Sequence, residues 1–579
     1  MKLASFIRNG AIDCGALMDG GIAVFDGHPT LGKMPSHQRL FAILAMEHDQ
    51  RRELTAWAAK GRHIATDSVK MLPAVPLCPL YFYLHGNNPT LCKRQNGPGW
   101  QLTRVPYARV RTFSSLSGHD WDVLVPPGGK LFMGPELAVV IGRTARRVTP
   151  DNALDHIAAL VCTNDLAILE LHEEWRDKSS PASEADQNHG MDTIFKNADN
   201  DGGMGPWLVT AEELEDRMRA RVAPLVMQRY ADRHLAAWIY HRTMAARLDG
   251  ELVDETRADS YLLGPEWLVS YISRFMMLPV GTVLGFGSAG WDGLPSDPSA
   301  EPGSTRTIEL EMQDVGTMRQ TPRRMAASQR DQSPCLAAWA SRGMDPLAAD
   351  FPRPSPALWA MQGNYPEVQA SEGRPPVQHI NPLLYPATAM GAEGAPIVLP
   401  PCAMTIKCSV HLAAVIGAKP AYHVQGAAAL AYIGRIAPML SIRDSSMQEA
   451  IKEPSGYEWR GANFLSRCGE GYFRLGPGRP LDQVGKLDEL TLSLELPGQP
   501  PATYNTGRYL YGFEQALTAI TRLITLMPGD IVSLGPVGAE LVLPPETKAT
   551  WIRAGNSWGA AMEFTFDDQR DPAAREKQR

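Results

Sequence analysis

Short runs of apolar, often β-branched residues recur along this chain at strand length, separated by Gly and Pro. Ala138–Ile141 and Val283–Phe286 are examples, and runs of this kind predict short strands within a folded core. Lys2–Arg8 predicts a strand, Asp19-Gly20-Gly21 a turn, and Ile22–Phe25 a second short strand. The period changes over 37–60, where Leu40, Ile43, Leu44 and Met46 give helical character. Residues 211–246 read as a helical, Arg-rich insertion, and 292–306 and 320–356, rich in Pro, Ser and Arg, as connectors. The charged tail 567–579 reads as disordered. A mainly β protein with few helices follows.

The pattern is also written twice. Glu136-Leu-Ala-Val-Val-Ile-Gly142 recurs as His411-Leu-Ala-Ala-Val-Ile-Gly417, and Val123-Leu124 as Val398-Leu399. Gly86-Asn87-Asn88-Pro89 matches Gly363-Asn364-Tyr365-Pro366, and Tyr261–Glu266 matches Tyr509–Glu514. Leu278–Gly290 runs parallel to Leu526–Gly538. Ordered matches over so long a period mean a duplicated domain, since solenoid repeats run about 20–50 residues. The expected division is an N-terminal cap region at 1–71, unit one at 72–321, a linker at 322–351, unit two at 352–566 and the tail at 567–579. His411 stands where unit one has Glu136, so the apolar scaffold is repeated and its polar group is not.

At 579 residues more than one domain is expected. A net charge of −7 without a Lys/Arg cluster argues against a nucleic-acid partner. The eight cysteines include no CxxC pair, which favours buried reduced thiols over zinc or disulfides. No run reaches the roughly eighteen apolar residues of a membrane span, and the N-terminus lacks a signal-peptide core. The expectation is a soluble cytoplasmic protein.

The segment 134–168, GPELAVVIGRTARRVTPDNALDHIAALVCTNDLAI, resembles the fumarylacetoacetate hydrolase family's ExELAVVIGK, helix and ND-x-SARD. Pro106–Pro126, Lys196 with Gly205-Pro206-Trp207, Gly281–Gly290 and Val315–Arg319 resemble further family motifs in the same order. The resemblance covers unit one almost entirely and unit two more weakly. Tandem copies are similar to the bifunctional isomerase/decarboxylase of homoprotocatechuate breakdown. It implies an α+β, mainly β fold of two mixed β-roll domains arranged as an intramolecular pseudo-dimer, with further oligomerisation left open.

The resemblance also implies chemistry: Mg²⁺ or Mn²⁺ on carboxylates, chelating adjacent oxygens of a small 2-oxo acid or β-dicarbonyl. Side chains at i and i+2 share a strand face, so an E-x-E pair can converge on one cation with an Asp from a neighbouring strand. Here Gly134 stands at the first Glu position, leaving Glu136 and Asp165 as the implied metal ligands. Glu170 and Glu173 are further candidates. Lys196 matches the family's catalytic lysine, a fixed charge for a developing enolate or oxyanion. Gly287 falls at an implied substrate-binding position.

The departures point to which reaction remains. The family's water-activating His–Glu pair falls on Leu91 and Arg94 in unit one and on Val368 and Ser371 in unit two, and a general base must be titratable. His85, His172 and His189 are substitutes only if the fold brings one of them close. In unit two the metal positions read Ser409, His411 and Pro438-Met439, with Arg467 for the lysine and Ser441-Ile442-Arg443-Asp444 for the SARD segment. Unit two is therefore expected to be structural. Decarboxylation and isomerisation need chiefly a metal and a cation, so a lyase or isomerase using unit one alone is favoured over a C–C hydrolase. The alternative is a non-catalytic scaffold or binding protein.

Overall fold

The computed structural model describes residues 1–96, 106–127, 129, 131–168, 190, 193–231, 236–288, 306–352, 354–371, 377, 379–392, 394–401, 403–446, 457–543, 548–559 and 561–570. In unit one, Tyr107–Val110, Tyr81–His85, Val283–Gly285, Pro135–Ile141, Ile157–Asp165 and Gly202–Thr210 are hydrogen-bonded in that order. Unit two repeats it with Pro382–Tyr385, Leu358–Met361, Ile531–Pro536, Ile406–Ile416, Ile433–Asp444 and Phe473–Leu475. A five-stranded sheet completes each unit, with Trp121–Val125 on the edge in unit one and Ile397–Leu399 in unit two. Every residue of Pro135–Ile141 is buried, because both faces of the sheet are covered. One apolar core runs through both units, and helix Tyr457–Leu465 of unit two packs on strand Tyr107–Val110 of unit one.

Local hydrogen bonding repeats in detail. Asn87 donates from Nδ2 to the carbonyls of Leu263 and Phe286 and accepts at Oδ1 from the Leu263 N–H. Asn364 does the same with Tyr511 and Leu534. Tyr261 and Tyr509 donate to the carbonyls of Gly287 and Gly535, each at 2.8 Å. Both glycines have φ of +86°, and a Cβ would lie 2.5 Å from the Leu84 carbonyl in one and 2.2 Å from the Met361 carbonyl in the other. Two conditions, left-handed backbone and close approach, thus require glycine there. Replacing Asn87 by Ala orphans a buried N–H and two carbonyls, and urea unfolding should show a loss of about 2–4 kcal/mol. A loss under about 0.5 kcal/mol would contradict this account of the scaffold.

Several sequence expectations change. Residues 1–71 are continuous with unit one, since Lys2–Arg8 pairs with Gly202–Thr210 and carries Ala11–Met18 and Gly21–Val24 outward. The 211–246 insertion is helical over Ala211–Arg221, Pro224–Ala231 and Ala237–Tyr240, but Thr243–Leu248 is a strand, alternating one face into the core. Strand Gly316–Arg324 runs into the expected linker, and helix Pro334–Ser341 lies within it, capped by the Ser333 hydroxyl. Asp567 and Asp568, expected in a disordered tail, end strand Ala561–Asp568, and buried Arg570 pairs with Asp568 at 2.7 Å. No helix among the described residues is long and apolar enough to cross a membrane. Among them all seven cysteines are free thiols, six buried.

Candidate active site

Glu136 lies mid-way along the sheet on Pro135–Ile141, and Asp165 ends the neighbouring strand. Pairing of Pro135 with Asn164, and an Asp165 N–H to Gly134 carbonyl bond of 2.8 Å, put the two carboxylates side by side. Lys196 Nζ meets Asp165 Oδ2 at 2.6 Å. The structure therefore brings together the three residues singled out in the sequence. A side chain at 134 would begin 3.0 Å from the Asp165 carbonyl, so the missing first glutamate leaves little room unused.

The residue that sequence reasoning missed is Arg111. Its side chain is fully buried, donates to Asp165 Oδ1, and holds Asp201 Oδ1 at 2.6 Å. The guanidinium also lies 5.1 Å from the Tyr83 ring centre and 5.6 Å from that of Tyr81, in cation–π range. Burial pushes the Asp165 carboxyl up, but Lys196, Arg111 and His85 outweigh it and hold it below the usual range. Burial and then Asp165 push Glu136 well above that range, with Lys196 and Arg111 offsetting only part. Burial likewise raises Asp201, against the pull of Arg111.

Glu136 is 1% exposed, and neither of its carboxylate oxygens has a hydrogen-bond partner of normal geometry among the described residues, the Gly287 N–H being the one backbone donor that acts on it. Buried polar atoms are rarely left so. Two orphaned hard oxygens beside a second carboxylate fit a divalent cation, with water and substrate oxygens completing its shell. Each Asp165 oxygen, though holding one donor, keeps a second lone pair. Among the described residues no third His, Cys, Asp or Glu joins the pair. Glu170, Glu173, His172 and His189 lie outside the described residues.

His85 ends strand Tyr81–His85. Its ring lies 5.3 Å from Tyr83 and 4.9 Å from Tyr107, and its charge acts on Asp165, making it the described histidine at the cluster. Gly287, expected to touch substrate, has its carbonyl occupied by the Tyr261 hydroxyl. Arg111 also lines a cavity of 660 Å³ between the units, where Asp530 is held by the N–H groups of Ala357 and Met527.

Unit two is rebuilt at the same place. Ser409 pairs with Ser441, so Ser441 stands at the Asp165 position, correcting the expected Pro438-Met439, and Arg443 replaces Ala167. The connection from Ile416 to Ile433 is one residue longer than that from Ile141 to Ile157, which covers one of the two positions between the expected Met439 and Ser441. His411 is 2% exposed, with Nε2 3.0 Å from Ser409 Oγ and Nδ1 2.8 Å from Ser533 Oγ. Ser533 occupies the place of Gly285, where a Cβ would come 2.5 Å from Glu136 Oε2. Burial and Arg467 lower His411 to about 3, so the ring stays neutral. Both ring nitrogens are satisfied, and no carboxylate remains at these positions.

Comparison with known proteins agrees with the duplication. A family model described as fumarylacetoacetate (FAA) hydrolase C-terminal matches residues 85–322 and again 357–565. A Burkholderia ambifaria protein with a provisional hydrolase name is 27% identical over 202 residues, 35% of this chain and 59% of that protein. Fumarylacetoacetate hydrolase domain-containing protein 2 of Pongo abelii is 24% identical over 228 residues, 39% of this chain and 61% of its own. The chain thus spans about three fifths of the length of these curated relatives. Maleylpyruvate hydrolase from Sphingobium sp. SYK-6, solved with manganese(II) and pyruvate, gives a TM-score of 0.40 at 18% identity over 56% of this chain and 100% of that one.

Proposed function

The chain belongs to the fumarylacetoacetate hydrolase family, and from that premise we propose that unit one is a metal-assisted catalyst for a small 2-oxo acid or β-dicarbonyl compound. Decarboxylation or keto–enol isomerisation is the favoured reaction, with C–C hydrolysis third. The observation that carries the reading is the pair of buried, unpartnered Glu136 oxygens beside Asp165 and Lys196. Glu136 and Asp165 would hold Mg²⁺ or Mn²⁺, which when bound would polarise the substrate's adjacent oxygens.

Lys196 supplies a fixed positive charge where negative charge builds on the substrate oxygen, at a position only 16% exposed. Such a charge is worth more there than in water. Arg111 keeps Asp165 ionised and in place. Gly287 would meet the reacting molecule through its backbone beside Glu136, its missing side chain being required by the Leu84 carbonyl. His85 is the group suited to carry a proton between substrate and solvent, because neither copy has a titratable residue at the His–Glu positions. Unit two, with Ser409, His411 and Ser441 in place of acidic ligands, serves as the apolar partner surface.

One observation favours a second reading: both Asp165 oxygens already hold cations, as a retired, ion-paired site would. Proton exchange separates the two. With Mg²⁺ or Mn²⁺ in D₂O, the protein should exchange the C3 protons of pyruvate, read by NMR, and Lys196→Met should abolish exchange yet keep the metal-induced rise in Tm. Absence of both exchange and a Tm rise with either ion would leave the non-catalytic scaffold.

A further inference from the structure

The segment after Lys196 is held by the other unit. Asp199 is 2% exposed, and its carboxylate accepts the Thr525 N–H at 2.7 Å and the Thr525 hydroxyl at 2.5 Å. It also accepts the Cys335 N–H at 3.1 Å and the Ser333 hydroxyl at 3.3 Å, both from the connecting segment. The Asp199 N–H donates to the Leu523 carbonyl at 2.9 Å. On its other side the segment is tied into unit one: Asn197 Oδ1 accepts the Thr112 N–H at 2.6 Å, and the Asn200 N–H reaches the Ser114 carbonyl at 3.0 Å. Asp201 then grips Arg111.

The same spacing occurs in unit two. Asp165 pairs with Gly202 and Ser441 with Phe473, which places Arg467 opposite Lys196 and Glu470 opposite Asp199. Glu470 reaches back into unit one and meets Arg146 Nε at 2.5 Å. Each unit therefore braces the other's basic segment with an acidic residue three positions beyond the cation.

We infer that Asp199 is a positioning residue, through which Thr525 and Leu523 of unit two keep Lys196 seated on Asp165. Burial raises the Asp199 carboxyl to about 6, opposed by its bonds to Thr525, Cys335 and Ser333, so the clamp carries a desolvation cost that core packing alone would not require. This explains what a unit without acidic ligands contributes: its structural surface fixes the geometry of the intact site. The functional meaning rests on the reading of Lys196 above, but its position can be tested without turnover.

The measurement is the rate at which a small amine-acylating reagent modifies Lys196 in the full chain, read by peptide mass spectrometry and referred to exposed Lys548. Temperature is kept well below Tm. Asp199→Asn cannot accept all four bonds, and Thr525→Val removes only the hydroxyl, so the second variant folds even if the first is too unstable. Both should expose Lys196, with labelling about tenfold faster or more, the population change that follows loss of one hydrogen bond to a charged group. Thr525→Ser should restore the native rate. A purely structural role would lower Tm and leave the Lys196 to Lys548 ratio unchanged, and that ratio, unchanged in both variants, overturns the inference.

Discussion

Asp165→Ala is expected to cost about 3–5 kcal/mol of stability at pH 7, the range found when one partner of a buried ion pair is removed. Arg111 is fully buried and Lys196 is 16% exposed, so Arg111 loses a counter-charge with no water to replace it, and Lys196 with only partial hydration. Asp201 still holds Arg111, which places the loss in this range and not above it. The effect should be context-dependent in a defined way. In Arg111→Met/Asp165→Leu the combined loss should be smaller than the sum of the single losses, because neither member of the pair is left facing an unpaired partner, although Asp201 and Lys196 each still lose one. Urea denaturation of Arg111→Met, Asp165→Leu and the double gives the coupling directly. Additive losses would mean that solvent screens this pair and that Arg111 does not set the state of Asp165. Asp165→Ala should also abolish any metal-induced rise in Tm, while a retained rise would move the metal elsewhere.

Much of this site was legible in the sequence, and the reason is local. Glu136 and Asp165 stand on neighbouring strands whose spacing follows strand geometry, and Lys196, in a turn, was found through the family motif alone. Loss of the first carboxylate at Gly134 was likewise visible. Arg111 was not, because its partners Asp165 and Asp201 lie far along the chain and only the folded sheet brings them to it. The register of unit two was misread for a different reason. Hydrophobicity fixes which face of a strand is buried but not the length of the connection before it, and one extra residue between Ile416 and Ile433 puts Ser441 in place of Leu440 at the Asp165 position, one of the two positions by which the expected Met439 differs. The Asp199 clamp left no signal either, since an acidic residue in a Gly- and Asp-rich segment reads as a solvated turn. Of the expected tail, 567–570 are ordered because Asp568 and Arg570 satisfy each other in a buried position, which charge alone does not reveal, and 571–579 lie outside the described residues.

Glu136→Gln is expected to be more stable than the native protein at pH 8, with the gap closing as pH falls towards 5. The sign follows from where the proton is held. Burial and Asp165 raise the Glu136 carboxyl well above its ordinary 4.5 in the folded state, while the unfolded chain keeps the ordinary value. Between these two values the folded protein binds more protons than the unfolded one, so unfolding free energy falls as pH rises through that window. Glutamine cannot ionise and escapes the loss. Asp165 works in the opposite direction: held below 3.8, its contribution is present at neutral pH and is lost only in acid, so the two carboxylates can be told apart by the pH at which each acts. A divalent cation should then invert the order at pH 8. It stabilises only the protein that can offer an ionised Glu136, by about 2.7 kcal/mol at a hundredfold excess over Kd, whereas the amide of the variant gives it one neutral oxygen in place of an anionic pair. Thermal unfolding of both proteins at pH 5 and 8, with and without Mn²⁺, is sufficient. A stability gap that does not change with pH would show that Glu136 titrates normally, and with it would go the argument that an unpartnered carboxylate is kept in the core for a cation.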